Sequence, residues 1–203
     1  MPRERRRQLI LDVAGQVFAR AGYESASMDE MAELAGVSKP MLYTYFGSKE
    51  GLYLAYIERA GGDLVDRLLT AGPRRQSPAA ALEARIDEFL AFVEEHADGW
   101  RVLFREVAST RPFADRVAEL RERVAAAIRR MVEEGVAPSC SGYSAPAADA
   151  IAHALVGAGE SLANWWLDHP EVPREQVAGW YYGVVSAVVA GGPSGLRRKY
   201  GRM

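Results

Sequence analysis

Between Gly36 and Lys49 the chain carries Ser38, Lys39, Tyr43, Thr44, Tyr45 and Lys49, and no acidic residue interrupts them. Hydroxyl and ammonium donors gathered in this way suit the phosphate oxygens and base edges of a nucleic acid. Their usefulness depends on being held on one outward face. The first question is therefore which elements hold them.

Ser27 is placed to cap a helix, and Glu30 stands three residues on, where a capping box needs it. Met31, Leu34 and Ala35 follow at helical spacing. Gly36 supplies a sharp turn, and Val37 suits the angle between two helices. Ser38 is a second N-cap, and Pro40 falls in the first helical turn, where its missing N–H does no harm. The pattern predicts two short helices, 28–35 and 39–45, at helix-turn-helix spacing. An ordinary helical hairpin would bury Tyr43, Tyr45 and Phe46. A purely structural helix only two turns long would carry more apolar surface than this one does.

Apolar positions from Leu9 to Ala21 predict a first helix ended by Gly22. A fourth, capped by Ser48, is expected over 49–70, with Gly61-Gly62 marking a bend. After a linker at 71–78, helices are expected from Ser77-Pro78, around Trp100, from Pro112, from Pro146 to about 167, and from Pro173 to about 190. Residues 134–145 read as a loop. No segment alternates with period 2. The fold class is all-α, about nine helices without strands.

The 203 residues have a net charge of −2 and are 49% hydrophobic. A globally basic nucleic-acid binder is excluded, though a local basic face is not. The lone Cys140 allows no internal disulfide. The N-terminus lacks a signal-peptide core, and no apolar run reaches the ~18 residues of a membrane span. A cytoplasmic protein without cofactor or metal is expected. His96, His153 and His169 are scattered, GGPSG at 191–195 lacks the G-x-S-x-G spacing, and no phosphate-binding loop occurs. An enzyme is not expected.

Residues 10–52, ILDVAGQVFARAGYESASMDEMAELAGVSKPMLYTYFGSKEGL, resemble the tetracycline-repressor (TetR) family of bacterial transcription regulators. The resemblance is carried by F-x-x-x-G-Y, A-x-x-A-G-V-S and L-Y-x-Y-F-x-S-K-E-x-L. It implies a helix-turn-helix domain over 1–50, with helix 49–70 as connector. An effector-binding and dimerisation domain is implied over 51–203, ending in a basic tail, 194–203. Ser27 and Met28 would begin a helix whose N-terminus faces a phosphate. Lys39, Pro40, Met41 and Thr44 would meet base edges, with Lys39 on guanine and the others on thymine methyls. Tyr43, Tyr45 and Lys49 would meet the DNA backbone, with Ser38 as a further DNA-contacting donor. Leu42 and Phe46 would turn to the core. Arg5-Arg6-Arg7 would either extend the footprint, along phosphates or into a minor groove, or fray into solvent.

One helix-turn-helix reads only a half-site, so a homodimer on a two-fold operator is expected. The last two long helices are rich in small residues, and the family pairs through them. Ala154, Gly157, Ala158, Ser161, Trp180, Val184, Ala187 and Val188 are the expected interface. The alternative is core packing within one chain. A small-molecule effector pocket is expected among Phe89, Phe92, Trp100, Phe104, Val107, Val124, Ile128, Glu160, Asn164 and Trp165, with His153 as a further polar candidate. The expected function is a repressor released from its operator by that ligand.

Overall fold

A computed structural model describes residues 1–71, 77–102, 104, 113–133 and 144–190. Among the described residues there are nine helices and no strand. They are α1 (Arg3–Ser25), α2 (Met28–Leu34), α3 (Lys39–Phe46), α4 (Lys49–Thr70), α5 (Pro78–Glu95), α6 (Ala97–Arg101), α7 (Phe113–Glu133), α8 (Ala145–Trp166) and α9 (Arg174–Ala190). None of the described helices is long and apolar enough to cross a membrane. The chain forms two compact units. One comprises Met1–Asp63 with His96–Leu120, the other Leu64–Glu95 with Arg121–Met203. Val107, Cys140, the tail 194–203 and most of the expected linker and loop lie outside the described residues.

In the first unit α1 packs on α2 and α6, and α2 on α3. Ile10, Val13, Ala14, Val17 and Phe18 are buried as the periodicity predicts, whereas Leu9 is exposed and Leu11, outside the predicted stripe, is buried. α1 is nevertheless longer than expected. Helical turns begin at Arg3, and the chain kinks at Gly22 (φ 72°, ψ 169°) before a last turn to Ser25. Phe18, Tyr23, Tyr53 and Phe113 make an aromatic cluster, and Phe113 meets Tyr53 edge-on with ring centres 5.1 Å apart. The Tyr56 ring lies so close to α1 that a Cβ on Gly15 would stand 2.7 Å from its Cε2. α4 runs unbroken through Gly61-Gly62. Gly61 clears space for Leu120 of α7, whose Cδ1 would lie 2.5 Å from a Cβ there.

Gly51 is the tightest of these approaches, because a Cβ there would fall against the carbonyl oxygen of Phe46. That oxygen belongs to the end of α3, so the first turn of α4 fixes where α3 stops. Gly51→Ala is expected to force the two apart and to destabilise the fold by about 1–3 kcal/mol. A lowered melting temperature in a calorimetric scan is the expected reading. An unchanged one would mean the α3–α4 junction yields freely.

In the second unit α9 packs on α5 and α8. Ile86, Leu90 and Val93 of α5, Ala152, Leu155 and Ala163 of α8, and Val177, Tyr181 and Val185 of α9 are buried. Tyr181 donates its hydroxyl to Leu155 O at 2.8 Å, and burial pushes its pKa up to about 12. Gly159 makes room for that hydroxyl, since a Cβ there would stand 2.8 Å from it. Arg121 of α7 grips Glu160 of α8 with two hydrogen bonds, 2.8 and 2.6 Å.

Candidate nucleic-acid interface

Ser27 caps α2 as its type predicts: its Oγ accepts from the N–H of Asp29 (3.2 Å) and Glu30 (3.5 Å). The reciprocal half of the capping box is replaced, because the Glu30 carboxylate pairs with Arg20 of α1. After α2 the chain reverses at Gly36, whose φ of 62° lies in the left-handed region that a side chain disfavours. Gly36 N–H donates to Glu33 O and Val37 N–H to Ala32 O, each at 3.0 Å, which closes the C-terminus of α2. Val37 is half-buried in the angle.

Ser38 occupies the N-cap position of α3, but its side chain makes no cap bond. Its carbonyl instead accepts from Met41 N–H at 2.9 Å, and Pro40 sits in the first turn. Leu42 is fully buried and ties α3 to the core. That orientation leaves Ser38, Lys39, Pro40, Tyr43 and Thr44 exposed, with Met41 and Tyr45 half-buried. Thr44 turns its hydroxyl back onto Pro40 O at 2.9 Å, so its methyl is the group left for a partner. Gly47, with φ 75°, ends α3 and donates to Tyr43 O at 2.8 Å. Ser48 Oγ then caps α4 by accepting from Gly51 N–H at 2.9 Å.

Several expected contacts stand differently. Met28 is buried, so its side chain is not offered to DNA. Lys49 donates to Glu24 O (2.8 Å) and Ala26 O (3.2 Å), and its ammonium lies 4.9 Å from the Tyr23 ring centre. Two of its three protons thus hold the end of α1, leaving one for a phosphate. The arginine run is not frayed, since α1 is helical from Arg3 onward. Arg3 lies over the Tyr45 ring (5.7 Å) and Arg7 over the Phe46 ring (5.8 Å), clamping the last turn of α3. Phe46 is accordingly half-buried under Arg7 rather than deep in the core.

Sequence spacing gave no hint of the partner of Lys39. Its Nζ donates to Asp29 Oδ2 of α2 at 2.8 Å. This bond, reinforced by the charge of Asp29, raises the lysine pKa above its ordinary value. The two residues are ten apart, a separation that no helical periodicity marks.

In the second unit, Trp165, Trp180, Val184 and Val188 are 39%, 47%, 50% and 40% exposed. Ala154, Gly157, Ser161 and Ala187 are exposed as well, and Ala158 is half-buried. A Cβ on Gly157, Gly179 or Gly183 would meet nothing within 4 Å. The small-residue faces of α8 and α9 are therefore not used up inside the chain.

The expected pocket residues divide between the units. Trp100 and Phe104 pair in the first, with ring centres 4.3 Å apart. Phe89, Phe92, Val124, Ile128, Glu160 and Asn164 belong to the second, where Phe92 is buried beneath Arg67. Trp165 is not interior, lying at the surface stacked on His169 (4.2 Å) beside Trp180 (6.1 Å). Two of the polar candidates are already engaged by α7, Glu160 by Arg121 and His153 by Glu122 at 3.0 Å.

Residues 10–56 match the family described as bacterial regulatory proteins, tetR family, and residues 78–188 match the tetracyclin repressor-like C-terminal domain. The chain belongs to the TetR family. It is 35% identical over 170 residues to the HTH-type transcriptional activator FasR of Mycolicibacterium smegmatis, covering 83% of this chain and 75% of that one. A TetR-like transcriptional regulator from Rhodococcus sp. RHA1 superposes with a TM-score of 0.71 at 34% identity, over 94% of this chain and 99% of the other. The fold also matches FadR of Bacillus subtilis, solved in complex with stearoyl-CoA. That match has a TM-score of 0.70 at 16% identity and covers 91% and 98% of the two chains. This TetR-family member is thus a DNA-binding transcriptional regulator, and α2 and α3 are its helix-turn-helix.

Proposed function

We propose that the protein is a cytoplasmic homodimer that holds a palindromic operator and releases it when a small molecule binds. The observation that carries the DNA reading is the orientation of α3. Leu42 is driven inward, and Ser38, Lys39, Pro40, Tyr43 and Thr44 are presented together outside. Residues 1–50 do the reading, with Lys39, Pro40, Met41 and Thr44 on base edges and Ser38, Tyr43 and Tyr45 on phosphates. The exposed strip of α8 and α9 supports pairing across a two-fold axis, which sets the distance between two copies of α3.

With Glu160 and His153 engaged by α7, the second unit's other candidates for an effector are Phe89, Phe92, Val124, Ile128 and Asn164, and four of these five are apolar. The ligand they suit has a largely apolar body. It acts only through its differential affinity for two dimer geometries, typically ~1–3 kcal/mol of coupling. Release lifts repression where the operator overlaps a promoter. The same event would switch off a gene that the bound dimer activates, as the name of the M. smegmatis relative illustrates.

Selection from a library of random-sequence duplexes with the full chain is expected to yield a two-fold site with half-sites one helical turn or more apart. Lys39→Ala is expected to flatten the preference at one base pair per half-site, a loss of about 1–3 kcal/mol in discrimination. Tyr45→Phe is expected to weaken binding evenly over all sequences. No enrichment by the wild-type chain would overturn the reading.

A further inference from the structure

From Ser27 to Lys49 the acidic residues are Asp29, Glu30, Glu33, and none beyond Gly36. Glu30 is turned to Arg20 of α1. Asp29 is different, because it stands exposed in the first turn of α2 and binds the lysine assigned to a base edge. A carboxylate on a surface that meets a polyanion weakens binding to every duplex, whatever its sequence. Its compensation lies in what it does to Lys39. An unrestrained lysine swings on a four-carbon stem and finds phosphates as readily as bases. With one ammonium proton given to Asp29 Oδ2, two remain, and they match the two acceptors, O6 and N7, of a guanine.

We propose that Asp29 is a specificity-determining residue, which positions Lys39 on one G·C pair in each half-site and withholds it from the phosphates. This rests on the assignment of Lys39 to a base edge. Asp29 acts through Lys39 and does not itself touch the base.

The test is selection from random-sequence duplexes with five full-length chains: wild type, Lys39→Ala, Asp29→Ala, Asp29→Glu and the double variant Asp29→Ala/Lys39→Ala. It is followed by titration of a random duplex at several salt concentrations. Asp29→Ala is expected to flatten the same base-pair column as Lys39→Ala, with about a tenfold loss of discrimination there. It should also steepen the salt dependence of non-specific binding by about 0.9 per chain, because the freed ammonium reaches a phosphate. Asp29→Glu, which keeps the carboxylate, is expected to retain the column. In the Lys39→Ala background, Asp29→Ala should remove nothing further from that column. If Lys39→Ala flattens a column and Asp29→Ala does not, the proposal is overturned and the assignment of Lys39 stands. If Lys39→Ala changes no column, that assignment fails and takes the proposal with it. Flattening of every column by Asp29→Ala would mean a loosened α2, and would also overturn it.

Discussion

Replacing Val184 with aspartate is expected to leave the chain folded but monomeric, and to weaken binding to a two-half-site operator by about 10²–10⁴-fold. Val184 is half-exposed on α9, with Trp180 and Val188 one turn away on either side and Gly183 beside it. In a single chain, an aspartate at such a site touches little and changes stability by no more than about 0.5 kcal/mol. Across a dyad, each aspartate would face apolar groups of the second copy, and both carboxylates would lose water without gaining a partner. Dissociation without unfolding is the consequence. The second half-site is then no longer held near the first by a bound neighbour, and the loss of effective concentration supplies the fold-change. Sedimentation reads the assembly and a melt reads the fold. Equal affinity for one half-site would identify the lost avidity. A dimer that persists in Val184→Asp would place the interface elsewhere.

Much of this was legible in the sequence because it is local. The Ser27 cap, the Gly36 turn, the burial of Leu42 and the Ser48 cap follow from residue types a few positions apart, and the structure has them all. What spacing cannot see is a partner brought in from another helix. Glu30 has the right offset for a capping box, yet Arg20 takes its carboxylate. Glu160 and His153 share a face of α8 that looked suited to a ligand, and the charges of α7 meet that face. Lys49 looked like a free cation, but carbonyls at the end of α1 lie within its reach. Trp165 shows the remaining limit: helical periodicity marks an apolar face without telling an interior from a surface.

Phe113→Ala is expected to destabilise the protein by about 3–5 kcal/mol, because the lost ring is buried and shared. Phe113 stands edge-on to both Tyr23 (4.7 Å) and Tyr53 (5.1 Å), so its removal leaves a cavity bordered by rings that cannot both move in. At ~2–4 °C per kcal/mol for a chain of this size, the melting temperature should fall by about 6–20 °C. Phe113→Leu keeps most of the volume and is expected to cost less than half as much. The functional consequence follows from Tyr23. That ring carries the Lys49 ammonium on its face, and Lys49 in turn holds Glu24 O and Ala26 O, immediately before the Ser27 cap of α2. An unbroken line of contacts therefore runs from the first residue of α7 to the start of the helix-turn-helix, all inside the first unit. Well below its melting point, Phe113→Ala should consequently bind the selected duplex more weakly than Phe113→Leu does. Two variants that differ in melting temperature but bind equally would show that the cluster supports the fold and leaves the placement of α2 to other contacts.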